Sequence, residues 1–192
     1  MTSNLPLRAV LRNGETVLIR EIGPDDRRLM REGFEKLSKQ SRFFRFLAPH
    51  QHLSEAELDH FTEANTKDHF AIGAASLGVD EDMPLGTARF VRLTEDKNDA
   101  EFALTIIDSH QRLGLGSLLL RSLARAGHAR GIERFTALIH HDNTGIQALM
   151  RCFGGHRLTG GVEEEWELPL PLKPKPTLSR QPNEIAILRK PQ

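Results

Sequence analysis

Apolar residues fall into two different rhythms along this chain. Phe70 to Leu77, Leu85 to Leu93 and Ala100 to Ile107 are short apolar-rich runs bounded by polar or turn-forming residues, and they read as strands. A loop with Asp80, Glu81, Asp82 and Pro84 joins the first two, and the polar turn Asp96 to Asp99 precedes the third. From Leu115 to Ala129 the spacing becomes helical, with Leu115, Leu118, Leu119, Leu123 and Ala126 on one stripe. Gly127 interrupts that helix and Gly131 fits its stop. Phe135 to Ile139 is apolar on both faces, as in a covered sheet. Asp142 or Asn143 then caps a helix with Ile146, Leu149, Met150 and Phe153 on its core side, ended by Gly154-Gly155. Glu163 to Leu168 reads as the last strand.

The N-terminal part follows the same logic. Asn13-Gly14 lies between Val10-Leu11-Arg12 and Thr16 to Ile22, which predicts a hairpin. Pro24-Asp25-Asp26 opens a helix whose apolar positions are Met30, Phe34 and Leu37. Ser41 to Leu47 mixes Arg42 and Arg45 with Phe43, Phe44 and Phe46, and Pro49 closes it. Ser54-Glu55-Ala56-Glu57 is a capping box flanked by Leu53 and Leu58, so a helix runs from Glu55 to Ala64. The order predicts an α+β (mixed α/β) fold with helices covering a largely antiparallel sheet. Prolines 169, 171, 174, 176, 182 and 191 mark residues 169–192 as a Pro-rich tail behind a domain of residues 1–168. Within that tail, Glu184 to Leu188 is a candidate extra strand at a sheet edge.

Composition narrows the chemistry. The 192 residues carry a formal net charge of zero, which gives no bulk attraction to nucleic acid or membranes. Cys152 is the single cysteine, so no internal disulfide or thiolate cluster can form, and it reads as a small apolar helix residue. No apolar run is long enough for a signal peptide or a membrane span, and the expected location is cytoplasmic. No metal site is expected, because His140 and His141 are adjacent and point to opposite faces if they lie on a strand.

The junction between the third strand and the long helix carries the strongest chemical signal. Gln111-Arg112-Leu113-Gly114-Leu115-Gly116 places two glycines where a helix begins. The first amides of a helix lack internal partners and favour an anion. A dinucleotide fingerprint would need a third glycine where Leu119 stands, and an ATP loop would need Lys after Gly116, where Ser117 stands. Turn chemistry alone leaves phosphate binding and strain relief equally open.

With those residues in view, the chain resembles the GNAT family of N-acetyltransferases. Gln111 to Gly116 matches that family's Gln/Arg-x-x-Gly-x-Gly/Ala loop, with a strand before it and a helix after it. Asn143 opens the helix after the next strand, and Gly86-Thr87-Ala88-Arg89-Phe90 resembles the strand beside the cofactor strand. Ile19 to Asp26, Ser41 to Phe46 and Ala100-Glu101 are similar to segments of bacterial Pat-type protein lysine acetyltransferases.

The resemblance implies a GNAT-like fold over residues 8–168 and acetyl-CoA as co-substrate. It implies that Gln111, Arg112, Leu113, Gly114, Leu115, Gly116 and Ser117 hold the pyrophosphate, chiefly through the amides of Leu113 to Ser117. It places Asn143 at the cofactor, with the backbone of Thr105 and Ile106 pairing with the cofactor's arm and the Ile106 N–H facing the thioester oxygen. Strand alternation puts Glu101, Ala103 and Thr105 on one face, and Glu101 becomes the candidate base on a half-buried face. A solvated glutamate at a strand end is the competing reading. His69 and His110 are further candidates.

The family's usual tyrosine acid is missing: the matching position is Met150, and the chain has no tyrosine. Arg42 and Arg45 meet an acidic substrate or form ordinary ion pairs. The implied acceptor is an amine, either a protein lysine or a small molecule, with direct transfer from a ternary complex. A non-catalytic CoA-binding module is the alternative. A homodimer is compatible with all of this.

Overall fold

The computed structural model describes residues 5–77, 82–94, 98–173 and 187–188. β1 (Leu7–Val10) and β2 (Thr16–Glu21) form the expected hairpin, followed by α1 (Arg27–Glu35), α2 (Lys39–Phe46) and α3 (Glu55–Thr62). β3 (His69–Ser76), β4 (Met83–Arg92) and β5 (Asp99–Ile106) form an antiparallel meander. α4 (Leu115–Ala129) crosses over to β6 (Arg134–His140), and α5 (Thr144–Cys152) leads to β7 (His156–Arg157) and β8 (Glu163–Pro169). β9 (Ile187–Leu188) pairs with β1 at the sheet edge. The described strands form one sheet in the order β7-β8-β6-β5-β4-β3-β2-β1-β9. Every pairing is antiparallel except β5 with β6, which the α4 crossover makes parallel.

The two faces of the sheet are filled differently. On the α4 face, Phe70, Phe90, Phe135 and Phe102 form a chain of rings with successive centroids 6.0, 5.6 and 5.4 Å apart. The predicted α4 stripe is fully in the core, with Leu120 added to it. Gly127 is what lets α4 lie this low, since a Cβ there would sit 2.9 Å from the Phe135 ring. α5 ends as its glycines indicate, with the Gly155 N–H donating to the Met150 carbonyl at 2.8 Å.

The other face carries α1, α2 and α3. Asp26 ties the entry of α1 to β2 through both oxygens on Arg20, at 2.6 and 2.7 Å, and accepts from the Gly23 N–H at 2.8 Å. Burial alone would raise the Asp26 carboxyl, but those donors outweigh it and hold it below the usual range. Ser54 and Glu57 form the predicted capping box of α3. Arg27 bonds Glu55 and Asp59, joining α1 to α3.

Three features differ from the sequence pattern. α2 is a true helix, and the 3-10 turn Pro24–Asp26 precedes α1 rather than forming its first turn. The short strand β7 lacks a periodic signal and exists only because β8 offers an edge. Residues 169 and 170, expected in the tail, belong to the body: β8 includes Pro169, and the buried Leu170 donates its N–H to the Glu133 carbonyl at 2.7 Å. Ile187–Leu188 supplies part of the expected edge strand, and Glu184 to Ala186 lie outside the described residues.

Gly127→Ala tests the close approach of α4. The added Cβ gains helix propensity of about 1 kcal/mol, but it drives into a fully buried ring. A net loss of about 1–2 kcal/mol is expected from overpacking, read as a lower urea midpoint. A midpoint at or above wild type would show that Phe135 can yield.

Candidate functional site

The site begins where β5 and β6 part. Their parallel ladder covers only Asp99, Ala100 and Glu101 against Arg134, Phe135 and Thr136. β5 then continues to Ile106 and β6 to His140 with no further pairing. The bond from the Ile107 N–H to the Leu85 carbonyl, 2.9 Å, fixes the phase of the β4–β5 ladder. With Thr87 opposite Thr105 and Gly86 opposite Ile106, the amides of Thr105 and Ala103 face β4. Those of Leu104 and Ile106 face the other way, into the gap that β6 has left. The register shift in this part of the sheet lies between Ala74 and Ala75 of β3, so β5 reaches the gap as a regular strand. Gly86 keeps β4 tight against it: a Cβ there would lie 2.6 Å from the Thr105 carbonyl.

The glycine loop closes one end of the gap. Gly114 is the N-cap of α4 with φ 95°, a conformation suited to glycine, and Arg112 also has positive φ, 62°. The amides of Leu113, Gly114, Leu115 and Gly116 meet no acceptor among the described residues. The Ser117 amide does not join them, since it turns inward to the Gly114 carbonyl at 3.1 Å; only its hydroxyl remains for a ligand. Leu115 is fully buried, so its contribution is backbone alone.

The loop is fastened from three sides. Gln111 Nε2 donates to the Ile106 carbonyl at 3.2 Å and to Ser41 Oγ at 3.4 Å. The Arg12 N–H donates to the Leu113 carbonyl and its guanidinium to the Arg112 carbonyl. His110, a candidate base by its sequence position, instead bonds Glu15 at 2.9 Å and Ser109 at 2.8 Å. Asn143 caps α5 by accepting the Ile146 N–H at 3.4 Å.

On the α1–α3 face, α2 spans the mouth of the gap. Its N-terminus is held at the end of β5 by Asp108, which accepts from the Ser38 N–H at 2.9 Å and from the hydroxyls of Ser38 and Ser41. Burial would raise the Asp108 carboxyl, but these donors prevail and lower it. Farther along α2, Phe43 and Phe44 meet His140 of β6 with ring centroids 5.4 and 5.7 Å away. Arg42 is a strut: it donates to the carbonyls of Leu37, Gln51 and Glu35 and lies 4.4 Å over Phe34.

The strand face reading holds, with Glu101, Ala103 and Thr105 sharing the α1–α3 side. Glu101 itself is exposed rather than half-buried, because no helix covers it at the base of the gap. Beside it lies a pocket that the sequence pattern did not reveal, between α1, α2, α3 and strands β4 and β5. Its walls are apolar apart from Arg45, Arg89, Thr87 and Thr105.

Arg89 is 5 % exposed, donates to the Phe61 carbonyl at 3.1 Å, and lies 3.4 Å from His69 Nε2. Burial, with Arg45 adding to it, pushes its pKa down to about 9. Burial lowers Arg45 also, opposed by Glu101 and Glu57. The one available signal was a charged residue, Arg89, between Ala88 and Phe90 in an otherwise apolar strand.

The remaining candidates fall outside this site. Met150 is fully buried and Cys152 half-buried on α5. His140 and His141 do not point apart; their rings stack at 4.6 Å, because β6 ends at His140 and the alternation ends with it. Together with Asp142 they bring ligand-type atoms within 4.8 Å of one another. No described helix is long and apolar enough to cross a membrane.

Comparison with known proteins agrees with this geometry. The profile of the acetyltransferase (GNAT) domain matches residues 16–156. The chain is 28% identical over 151 residues to the acetyltransferase Pat of Mycolicibacterium smegmatis, covering 78% of this chain and 44% of that protein. It is 29% identical over 144 residues to an acetyltransferase of Pseudomonas aeruginosa, covering 75% of this chain and 77% of that protein. The crystal structure of the GNAT domain of S. lividans Pat superposes with a TM-score of 0.77 at 27% identity, over 85% of this chain and 96% of that one. The chain thus spans less than half the length of the mycobacterial relative.

His69 gives the site a pH signature. Burial first, then the charges of Arg89 and His60, lower its pKa to about 4 from 6.5. The unfolded chain takes up a proton near pH 6.5 that the folded protein refuses until about pH 4. Stability is therefore unaffected above about pH 6.5 and falls as pH drops through that window. His69→Gln should flatten the urea midpoint between pH 6.5 and 5; an unchanged slope would remove His69 as its source.

Proposed function

The chain belongs to the GNAT acetyltransferase family, and on that premise we propose that it transfers an acetyl group from acetyl-CoA to a protein lysine. The carrying observation is the gap between β5 and β6, lined by outward amides of β5 and closed by four unpartnered loop amides. That arrangement fits acetyl-CoA. A chain with amides can lie along β5 as an added strand, while a pyrophosphate takes the N–H groups of Leu113 to Gly116 at the positive end of α4. Arg112, exposed beside them, adds charge, as do the Ser117 hydroxyl and Asn143 with hydrogen bonds. The Ile106 N–H faces the acyl oxygen.

The acceptor approaches from the α1–α3 face, where Glu101 stands at the base of the gap. Glu163, Glu165 and Glu167 of β8 lie opposite His140, Leu138 and Thr136, on this same face, which favours a cationic amine. The lysine nitrogen forms its bond to the acetyl carbon as the carbon–sulfur bond breaks. Glu101 accepts the amine proton, directly or through a water, and the Ile106 N–H stabilises the oxyanion. The leaving thiolate takes its proton from solvent, since Met150 is buried where the family's tyrosine stands. The reducing cytoplasm, where acetyl-CoA and free thiols coexist, suits this chemistry.

Two measurements test the proposal. Incubation with radiolabelled acetyl-CoA and a panel of proteins and small amines should leave label on lysine side chains; label only on small amines would sink the lysine assignment. Glu101→Gln should lower kcat by about a hundredfold or more while CoA binding stays within about twofold. Wild-type kcat in that variant would remove Glu101 as the base.

A further inference from the structure

The pocket beside Glu101 contains more positive charge than the fold uses. Arg45 and Arg89 lie against the same ring, with their guanidinium carbons 5.6 and 4.2 Å from the Phe61 centroid. Neither is in contact with a carboxylate among the described residues; Glu101 and Glu57 act on Arg45 only from beyond contact distance. Arg89 uses the Phe61 carbonyl and His69, which leaves most of the five donors of a guanidinium unassigned. Arg45 makes ring contacts but no hydrogen bond to the described residues. The Thr105 hydroxyl, on the same strand face, is buried without a partner. All three line the pocket. Holding two like charges and an unsatisfied hydroxyl in an apolar pocket is costly unless something completes them.

We propose that this pocket binds a carboxylate carried by the acceptor, received by Arg45 and Arg89 with Thr105 as a further donor. This rests on the acyl-transfer reading above and names what the acceptor must contain. Arg89 stands opposite Ala103, diagonal to Glu101 on the neighbouring strand, and such positions are roughly 7–8 Å apart. The amine meets Glu101 and the carboxylate meets the arginines, so both groups sit on one short flexible frame. Two sources supply that chemistry: a lysine next to an aspartate or glutamate in a protein, or a free amino acid. A bidentate guanidinium suits a carboxylate better than any neutral group.

The direct test is binding of glutarate to the full chain by calorimetry, against its neutral diamide glutaramide at fixed ionic strength. Glutarate should bind saturably, glutaramide should not, and Arg45→Gln should weaken glutarate about tenfold or more. Equal behaviour of the two compounds overturns the proposal. So does unaltered glutarate binding in an Arg45→Gln protein whose circular dichroism matches wild type.

A second arm identifies the source by acetyl transfer. Paired lysine peptides with Glu or Gln beside the lysine are compared, as are 6-aminohexanoate and its amide. A preference for the Glu peptide of about tenfold or more in kcat/KM, lost in Arg45→Gln, places the carboxylate in a protein. The same preference confined to 6-aminohexanoate places it in a small molecule. Transfer without preference in either pair overturns the carboxylate pocket and leaves acyl transfer standing. If no acceptor is acetylated, the acyl-transfer reading fails, and glutarate binding alone decides the pocket.

Discussion

One parallel ladder, three residues long on each strand, governs the functional half of this molecule. Parallel pairing forces the α4 crossover, and the crossover brings the start of a helix to the end of β5. Because the ladder stops at Glu101 and Thr136, β5 keeps a row of outward amides with no strand to receive them. An open edge inside a sheet is normally a liability. Here it lies beside helix-start amides that also lack partners, so a ligand rich in amides and phosphate satisfies both at once. A longer β5–β6 ladder would occupy those groups and abolish the site without altering a side chain.

The open edge is held from above and below. On one side Gly116 leaves space for Ile106 and Leu149, which a Cβ there would approach to 3.3 and 3.5 Å. On the other side α2 is pinned to β5 through Asp108 and touches β6 through Phe43 and Phe44. Arg42 spends its donors on three carbonyls and fixes the α1–α2 and α2–α3 connections. The neighbouring Arg45, one turn along, has no such bonds and faces the pocket. Two arginines that look equivalent in the sequence therefore have opposite roles. The two share one side of α2 and differ in position along it: Arg42 reaches back to the carbonyls of Leu37 and Glu35, whereas Arg45, a turn farther on, lies against Phe46 and Phe61.

Electrostatics divides the acceptor face into two ends. Glu101 and the glutamates of β8 make one end negative, while Arg45 and Arg89 make the other positive. His69 stays neutral between Arg89 and His60 because burial and both neighbours oppose its protonation. A uniformly acidic surface would gather any cation. A surface with both signs a few residues apart selects for the spacing of charges within the ligand.

Periodicity determined most of the elements, since β3 to β6, α3 to α5 and β8 bury the faces their patterns mark. The glycine loop was legible for the same local reason: a strand, a turn with two glycines and a helix start follow one another in the chain. Asn143 was legible as a cap. What the sequence could not decide depends on partners far away in the chain. α2 has a local cap in Ser38, whose hydroxyl accepts the Ser41 N–H, but what places it over the gap is Asp108, distant in sequence, which accepts from Ser38 and Ser41. His140 and His141 stack because β6 ends where α5 must begin. Glu101 is exposed and Arg89 buried although both lie on strands of the same meander, because α1 to α3 cover one position and stop short of the other. Local pattern sets which face of an element is apolar. Only the packed fold sets which of the remaining polar groups are left without a partner, and those groups are the ones available to a ligand.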